Sequence, residues 1–249
     1  MRIGVALGLA VLAVGTALGQ KPDENTLHTR LLALARAAEL LENRLPAFAC
    51  HETFTSQELR GNKVKRQVQA SGELRVRPED DGKLDENFQT VQVNGKPSTG
   101  FPRVPIFVSG GFKNALGLFL PVDQRCFAYR LNGDRMEFES KPEATGEVCR
   151  ERTGISGTAL FDTSGNLLQI EHRVEEDRAR DRNVVPHAVL DLSRVDLGGT
   201  TFLLSTHVIA ERPAGKATYH WEANYTDCRL YEVTVKIGPA SPAPDDSGK

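Results

Sequence analysis

Apolar and polar residues alternate along VKRQVQASGELRV. Val64, Val68, Ala70, Gly72, Leu74 and Val76 occupy even positions, while Lys63, Lys65, Gln67, Gln69, Ser71, Glu73, Arg75 and Arg77 occupy odd ones. Successive side chains of a strand point to opposite faces, so a period of two puts one face on a core and leaves the other in water. A sheet made of such strands must cover its dry face with another layer or curl around it.

Further strands follow the same rule. In CFAYRLNGDRMEFES, a two-residue turn at Asn132-Gly133 predicts Phe127 opposite Phe138 and Tyr129 opposite Met136. In ISGTALFDTSGNLLQIEHRV, a turn at Ser164-Gly165 pairs Phe161 with Leu168, Ala159 with Ile170 and Ile155 with Val174. Each register gathers its apolar residues on one face, which a real hairpin requires. A third turn, Gly198-Gly199, joins VLDLSRVDL to TTFLLSTHVI, and the last strands are read as KATYHWEA and DCRLYEVTVKI.

Two segments break the strand pattern. Leu27, Leu31, Leu34, Ala38, Leu41 and Leu45 step by three and four, forming one apolar stripe on a long helix. Asn25 suits its N-cap and Pro46 its stop. The second segment is FPRVPIFVSGGFKNALGLFL, where Phe112, Ala115, Leu116 and Phe119 recur at helical spacing. Such a stripe reads first as packing on the sheet. If the long helix leaves the dry face unfilled, Phe107, Phe112, Leu116 and Phe119 border a groove and are the candidate ligand-binding residues.

The ends and the cysteines set the compartment. MRIGVALGLAVLAVGTALGQ has a positive start, an apolar run too short to span a bilayer comfortably, and small residues before Gln20. It reads as a secretory signal peptide, residues 1–19. One globular domain over residues 20–237 and a disordered Pro- and Asp-rich tail over 238–249 follow. Cys50, Cys126, Cys149 and Cys228 are an even set in an exported chain and read as disulfides. Three connectivities are open. Topology favours Cys126–Cys149, between neighbouring sheet segments, and Cys50–Cys228, between the first strand and the last.

The formal charge of -2 implies neither a nucleic-acid partner nor a strongly cationic membrane-surface protein. The six histidines show no metal-ligand spacing. His172, opposite Gly157 on an inward face, reads as a core or rim histidine. TGISGT lacks the G-x-S-x-G order of a nucleophile elbow and lies between strands. Cys50 and His51 are strand neighbours and point apart. No catalytic residue, metal or cofactor is nominated, and the chain is read as non-enzymatic.

The order of elements resembles the half-open barrels of the LolA/LolB-like superfamily and its RseB-type relatives. LLALARAAELLENRL stands for the long helix, GFKNALGLF for the inserted helix, and GTALFDTSGNLLQIEHRV for a central hairpin. The resemblance implies an α+β fold, a curved, mostly antiparallel sheet with both helices on its concave face. It also implies a soluble periplasmic or secreted protein that holds a lipid or lipoprotein, without stable membrane insertion. The alternative is an envelope sensor or interaction module with no ligand groove.

Overall fold

The structure, a computed structural model, describes residues 24–79, 83–108, 111–175 and 185–231. The expected signal peptide, the tail and the last apolar positions Val233, Val235 and Ile237 lie outside the described residues, as does the side chain of Ala115. Among the described residues no helix is long and apolar enough to cross a membrane.

Helix α1 spans Glu24–Arg44. Leu34, Ala35, Ala38 and Leu41 are buried on one stripe, and Leu45 just beyond the helix joins them. The helix begins before Asn25, so that residue lies inside the first turn rather than at the N-cap, and its carbonyl accepts a hydrogen bond from the Thr29 hydroxyl (2.8 Å). Then come β1 (Phe48–Arg60), β2 (Lys63–Pro78), β3 (Leu84–Val93) and the short β4 (Lys96–Pro97). Two helical turns, α2 (Asn114–Gly117) and α3 (Pro121–Gln124), precede β5 (Phe127–Asn132) and β6 (Arg135–Ser140). Helix α4 (Glu147–Arg152), which no sequence pattern announced, leads to β7 (Ile155–Phe161), β8 (Leu167–Val174), β9 (His187–Leu197), β10 (Thr200–Ala214) and β11 (Ala217–Leu230). β11 is one continuous strand where two were expected.

All strands form one antiparallel sheet in the order β4-β3-β2-β1-β11-β10-β9-β8-β7-β6-β5. The sheet is open, with β4 and β5 as its edges. Two sequential meanders meet where β1 pairs with β11, and Cys50–Cys228 crosses that seam, joining residues 178 positions apart. Cross-linking so distant a pair restricts the unfolded chain and stabilises the fold by roughly 2–5 kcal/mol. Cys126, just before β5, bonds to Cys149 of α4, beside a 2.7 Å ion pair between Arg152 and the buried Asp123.

Residues 98–108 and 111–126 lead from one edge of the sheet to the other across its inner face. Ser56, fully buried on β1, holds this crossover. Its hydroxyl donates to the Ile106 carbonyl (2.8 Å) and accepts from the Ile106 N–H (3.1 Å). Further along, Gln124 Nε2 donates to the carbonyls of Phe119 and Leu31, which ties the crossover to α1.

Three registers differ from expectation. In the β5–β6 hairpin, Tyr129 faces Phe138, Leu131 faces Met136 and Phe127 faces Ser140. The two turn residues are Gly133 and Asp134, with Gly133 at φ +63°, because a turn with glycine first suits the twist of a hairpin. Moving the turn by one residue shifts the pairing by two and leaves the faces unchanged. In the β7–β8 hairpin, Ala159–Ile170 and Ile155–Val174 pair as expected, but an irregularity sets Phe161 opposite Leu167 and leaves Leu168 exposed. At Lys65 a bulge makes Leu59 pair with Val64, which takes Val64 out of the inward row and exposes half of it.

The Ser56 clasp is testable. Ser56→Ala leaves the buried N–H and C=O of Ile106 without that partner, so the unfolding midpoint in urea should drop by the equivalent of ~1–3 kcal/mol with an unchanged slope. Thr55→Ala, one residue along on the opposite face, should shift it by no more than about 0.5 kcal/mol. Equal shifts would show that the clasp does not secure the crossover.

Candidate ligand groove

The four residues proposed from sequence divide into two sets. Phe112, Leu116 and Phe119 are no more than 1% exposed and belong to the core. Phe112 packs edge-on to Phe48 (5.2 Å between centroids) and against Tyr225 (5.1 Å), and Phe119 meets Phe138 at 5.6 Å. They fill the inner face rather than border an opening, the outcome expected when an apolar stripe meets a dry sheet. Phe107 is different. It is 47% exposed and stacks edge-on to Trp221 and to Phe101.

An apolar groove does exist, but elsewhere. It lies between the flank of α1 and the ends of β7, β8, β9 and β10, with a volume of about 590 Å3. Ala33, Ala37 and Leu40 form the helical wall, and Leu167, Leu192, Phe202 and Leu203 the sheet wall. The volume is within the usual range for small-molecule sites. Small side chains make the space. Alanines at positions 33 and 37 stand where bulkier residues would close the gap between helix and sheet.

The rim is polar and ordered. Asp162 caps the β7–β8 turn, accepting from the N–H groups of Ser164 and Asn166 and from Asn166 Nδ2. These bonds, that from the Asn166 side chain foremost, hold the Asp162 carboxyl below its ordinary range. Asn166 Oδ1 then accepts from Arg194 Nη2 (2.7 Å) at the groove's edge. Arg30 of α1 lies 4.5 Å above the ring of Phe161, another groove residue. Apolar walls with guanidinium groups at the rim suit a molecule with an aliphatic body and an anionic head.

A second feature of the inner face is a buried row of four residues that carries three polar side chains. Tyr225, Glu52, Gly72 and Thr90 stand side by side across β11, β1, β2 and β3. Glu52 and Tyr225 are each 2% exposed, the Tyr225 hydroxyl lies beside the Glu52 carboxyl, and Glu52 Oε2 and the Thr90 hydroxyl reach no hydrogen-bond partner among the described residues. Burial above all, then the charge of Glu86, pushes the Glu52 carboxyl up to about 8, against the opposing effect of the Tyr225 hydroxyl. Burial therefore favours the protonated, neutral form of Glu52 well above the usual carboxylate range. Gly72 is required in this row. A Cβ there would stand 2.2 Å from the Gln89 carbonyl oxygen.

The outer face gathers histidines and carboxylates that are far apart in the chain. His187 lies 3.1 Å from Glu171 and 3.6 Å from Glu211, which also meets His220 at 3.3 Å. His207 bridges Asp191 (2.9 Å) and Glu222 (3.1 Å). Burial lowers the pKa of His207, but these two carboxylates outweigh it and the net shift is upward. The residues lie on the outer faces of β8, β9, β10 and β11, and among the described residues no three are placed to share a metal ion. His172 is on the inner face opposite Gly157, where burial pushes it down to about 4 and keeps it neutral.

No protein-family model and no curated protein sequence matches the chain. Among solved structures it is similar to a DUF1329 family protein from Desulfovibrio piger ATCC 29098, with 15% identity, a TM-score of 0.40, and coverage of 87% of this chain and 96% of that one. It is also similar to a domain named for outer membrane lipoprotein sorting from Vibrio parahaemolyticus, at 13% identity and TM-score 0.40, covering 80% and 91%. A third is a LolA superfamily protein from Nitrosomonas europaea, at 10% identity and TM-score 0.33, covering 82% and 94%.

The buried Glu52 gives the fold a pH signature. Its folded pKa stands above the unfolded value, so its contribution is fully present below about 4.5 and is lost as pH rises toward about 8. Relative to Glu52→Gln, the natural chain should lose stability across that window with a slope approaching about 1.4 kcal/mol per pH unit. Chemical denaturation of both proteins at a series of pH values measures it. Parallel curves would place the Glu52 titration at its ordinary range.

Proposed function

We propose that this chain is an exported, non-enzymatic protein that holds the acyl chain of an anionic amphipathic lipid in the groove between α1 and the ends of β7–β10. The observation that carries the reading is the groove itself. It combines aliphatic walls from Ala37, Leu40, Leu192 and Leu203 with the Arg194 guanidinium at its rim. Burying each methylene of a chain there is worth about 0.8 kcal/mol. Two disulfides with no free cysteine among the described residues support an oxidising compartment outside the cytoplasm. Phe112, Leu116 and Phe119 serve this reading as the floor that keeps helix and sheet in place, not as ligand contacts.

The chain from Gln20 onward, produced in an oxidising compartment, should show an extractable adduct of lipid mass in native mass spectrometry. The stripped protein should take up a fluorescent fatty acid. Ala37→Trp should weaken that uptake about tenfold or more, because an indole placed in the groove must be displaced or repacked for a chain to enter. A clean apo mass with no uptake would favour an interaction module without a ligand. Undiminished uptake by Ala37→Trp would move the ligand out of this groove.

A further inference from the structure

The strand ends opposite the groove carry a different surface. There the β1–β2 hairpin and the first part of the crossover meet on the inner side of the sheet. Arg66 Nη2 donates to the Arg103 carbonyl (2.6 Å), and Ser56 clasps Ile106 below. Arg60 pairs with Lys63 across the hairpin end, and Glu58 pairs with Arg66. The bulge at Lys65 keeps Arg66 on the same side as Ser56 and Glu58. Arg60, Lys63, Arg66 and Arg103 are all exposed. Glu58, the carboxylate among these neighbours, is bridged to Arg60 (3.1 Å). In a chain of formal charge -2, this rim is a local excess of positive charge.

Two aromatic rings stand beside these cations. Phe101 and Phe107 are 48% and 47% exposed and meet edge-on at 5.2 Å. Their bases are fixed. Phe107 packs on the fully buried Trp221 (5.3 Å), which stacks on Phe54 (4.3 Å), and Phe101 contacts Phe88 (6.0 Å). Holding two large rings in water on so rigid a base gives up the hydrophobic stabilisation that further burial would bring. A bilayer interface supplies both missing partners. Its headgroup region accepts rings to shallow depth, and anionic lipids attract adjacent guanidinium and ammonium groups.

We infer that Phe101, Phe107, Arg60, Lys63, Arg66 and Arg103 form a surface that docks this protein reversibly on an anionic lipid bilayer. The surface does not depend on the acyl-chain groove, which opens at the other end of the strands. The docked protein presents its hairpin tips to the membrane and keeps the groove rim away from it.

Vesicle flotation tests this with the disulfide-bonded chain from Gln20. The probes are vesicles of phosphatidylcholine alone and of phosphatidylcholine mixed with phosphatidylglycerol. The natural chain should float with the mixed vesicles, more weakly at high salt, and remain unbound with phosphatidylcholine alone. Lys63→Glu with Arg103→Glu should lower the partition coefficient by at least about fivefold per cation lost. Phe101→Ser with Phe107→Ser should abolish flotation while far-ultraviolet circular dichroism and fatty-acid uptake stay unchanged. Ala37→Trp should still float, which separates this surface from the groove. Flotation that survives both double variants, or that is lost only in Ala37→Trp, would overturn the inference. So would absence of flotation with either vesicle by a folded natural chain.

Discussion

The pairing of β1 with β11 constrains everything else in this fold. It puts β4 and β5 at opposite edges of the sheet, although they are consecutive in the chain. The segment between them must therefore travel from edge to edge. Ten inter-strand spacings of about 4.8 Å make that a path on the order of 48 Å along a flat sheet. The route across the inner face is favoured because that face is the apolar one and needs covering. Phe112, Leu116 and Phe119 are core for this reason. They belong to a connection that must cross a dry surface, and α1 covers the remainder.

The division of labour follows from that layout. The crossover seals the half of the inner face near β1 and β11, pinned by Ser56. Helix α1 seals the other half less tightly, because Ala33 and Ala37 on its flank do not reach the sheet wall as Leu34 and Leu40 do. A groove is therefore left beside the helix. The first part of the crossover lies over β3, β1 and β11, where Phe101 meets Phe88 and Phe54 and Phe107 meets Trp221, and both rings keep about half of their surface in solvent.

Much of this architecture was legible in residue patterns. Period two identified the strands and their inward faces, and steps of three and four identified α1. Faces survive small errors in pairing, which is why the β5–β6 hairpin could be displaced by two residues with its core residues unchanged. Bulges were not legible. The one at Lys65 reverses the facing of Val64 through backbone geometry that no composition signals. The groove was missed for a related reason. Ala33 and Ala37 look like good helix formers in sequence, and only the placement of α1 over the strand ends turns their small size into a cavity. The histidine–carboxylate network draws on β8 to β11, so its members come together only through register. The buried polar row around Glu52 likewise needs four strands in alignment.

The seam between the first strand and the last also orders events in time. As the chain emerges, β1 to β4 can pair with one another, but the other edge of β1 has no neighbour until β11 arrives. Until then that edge offers unpaired N–H and C=O groups to any passing strand. The chain must meanwhile hold a half-sheet whose inner face is only partly covered. Sheets dominated by such distant pairings fold slowly. Cys50 stands on the waiting edge and Cys228 on the arriving strand, so oxidation of this pair records that the two halves have met. The bond works as a latch on the last act of assembly, closing a period in which the young protein is most exposed to aggregation and proteolysis.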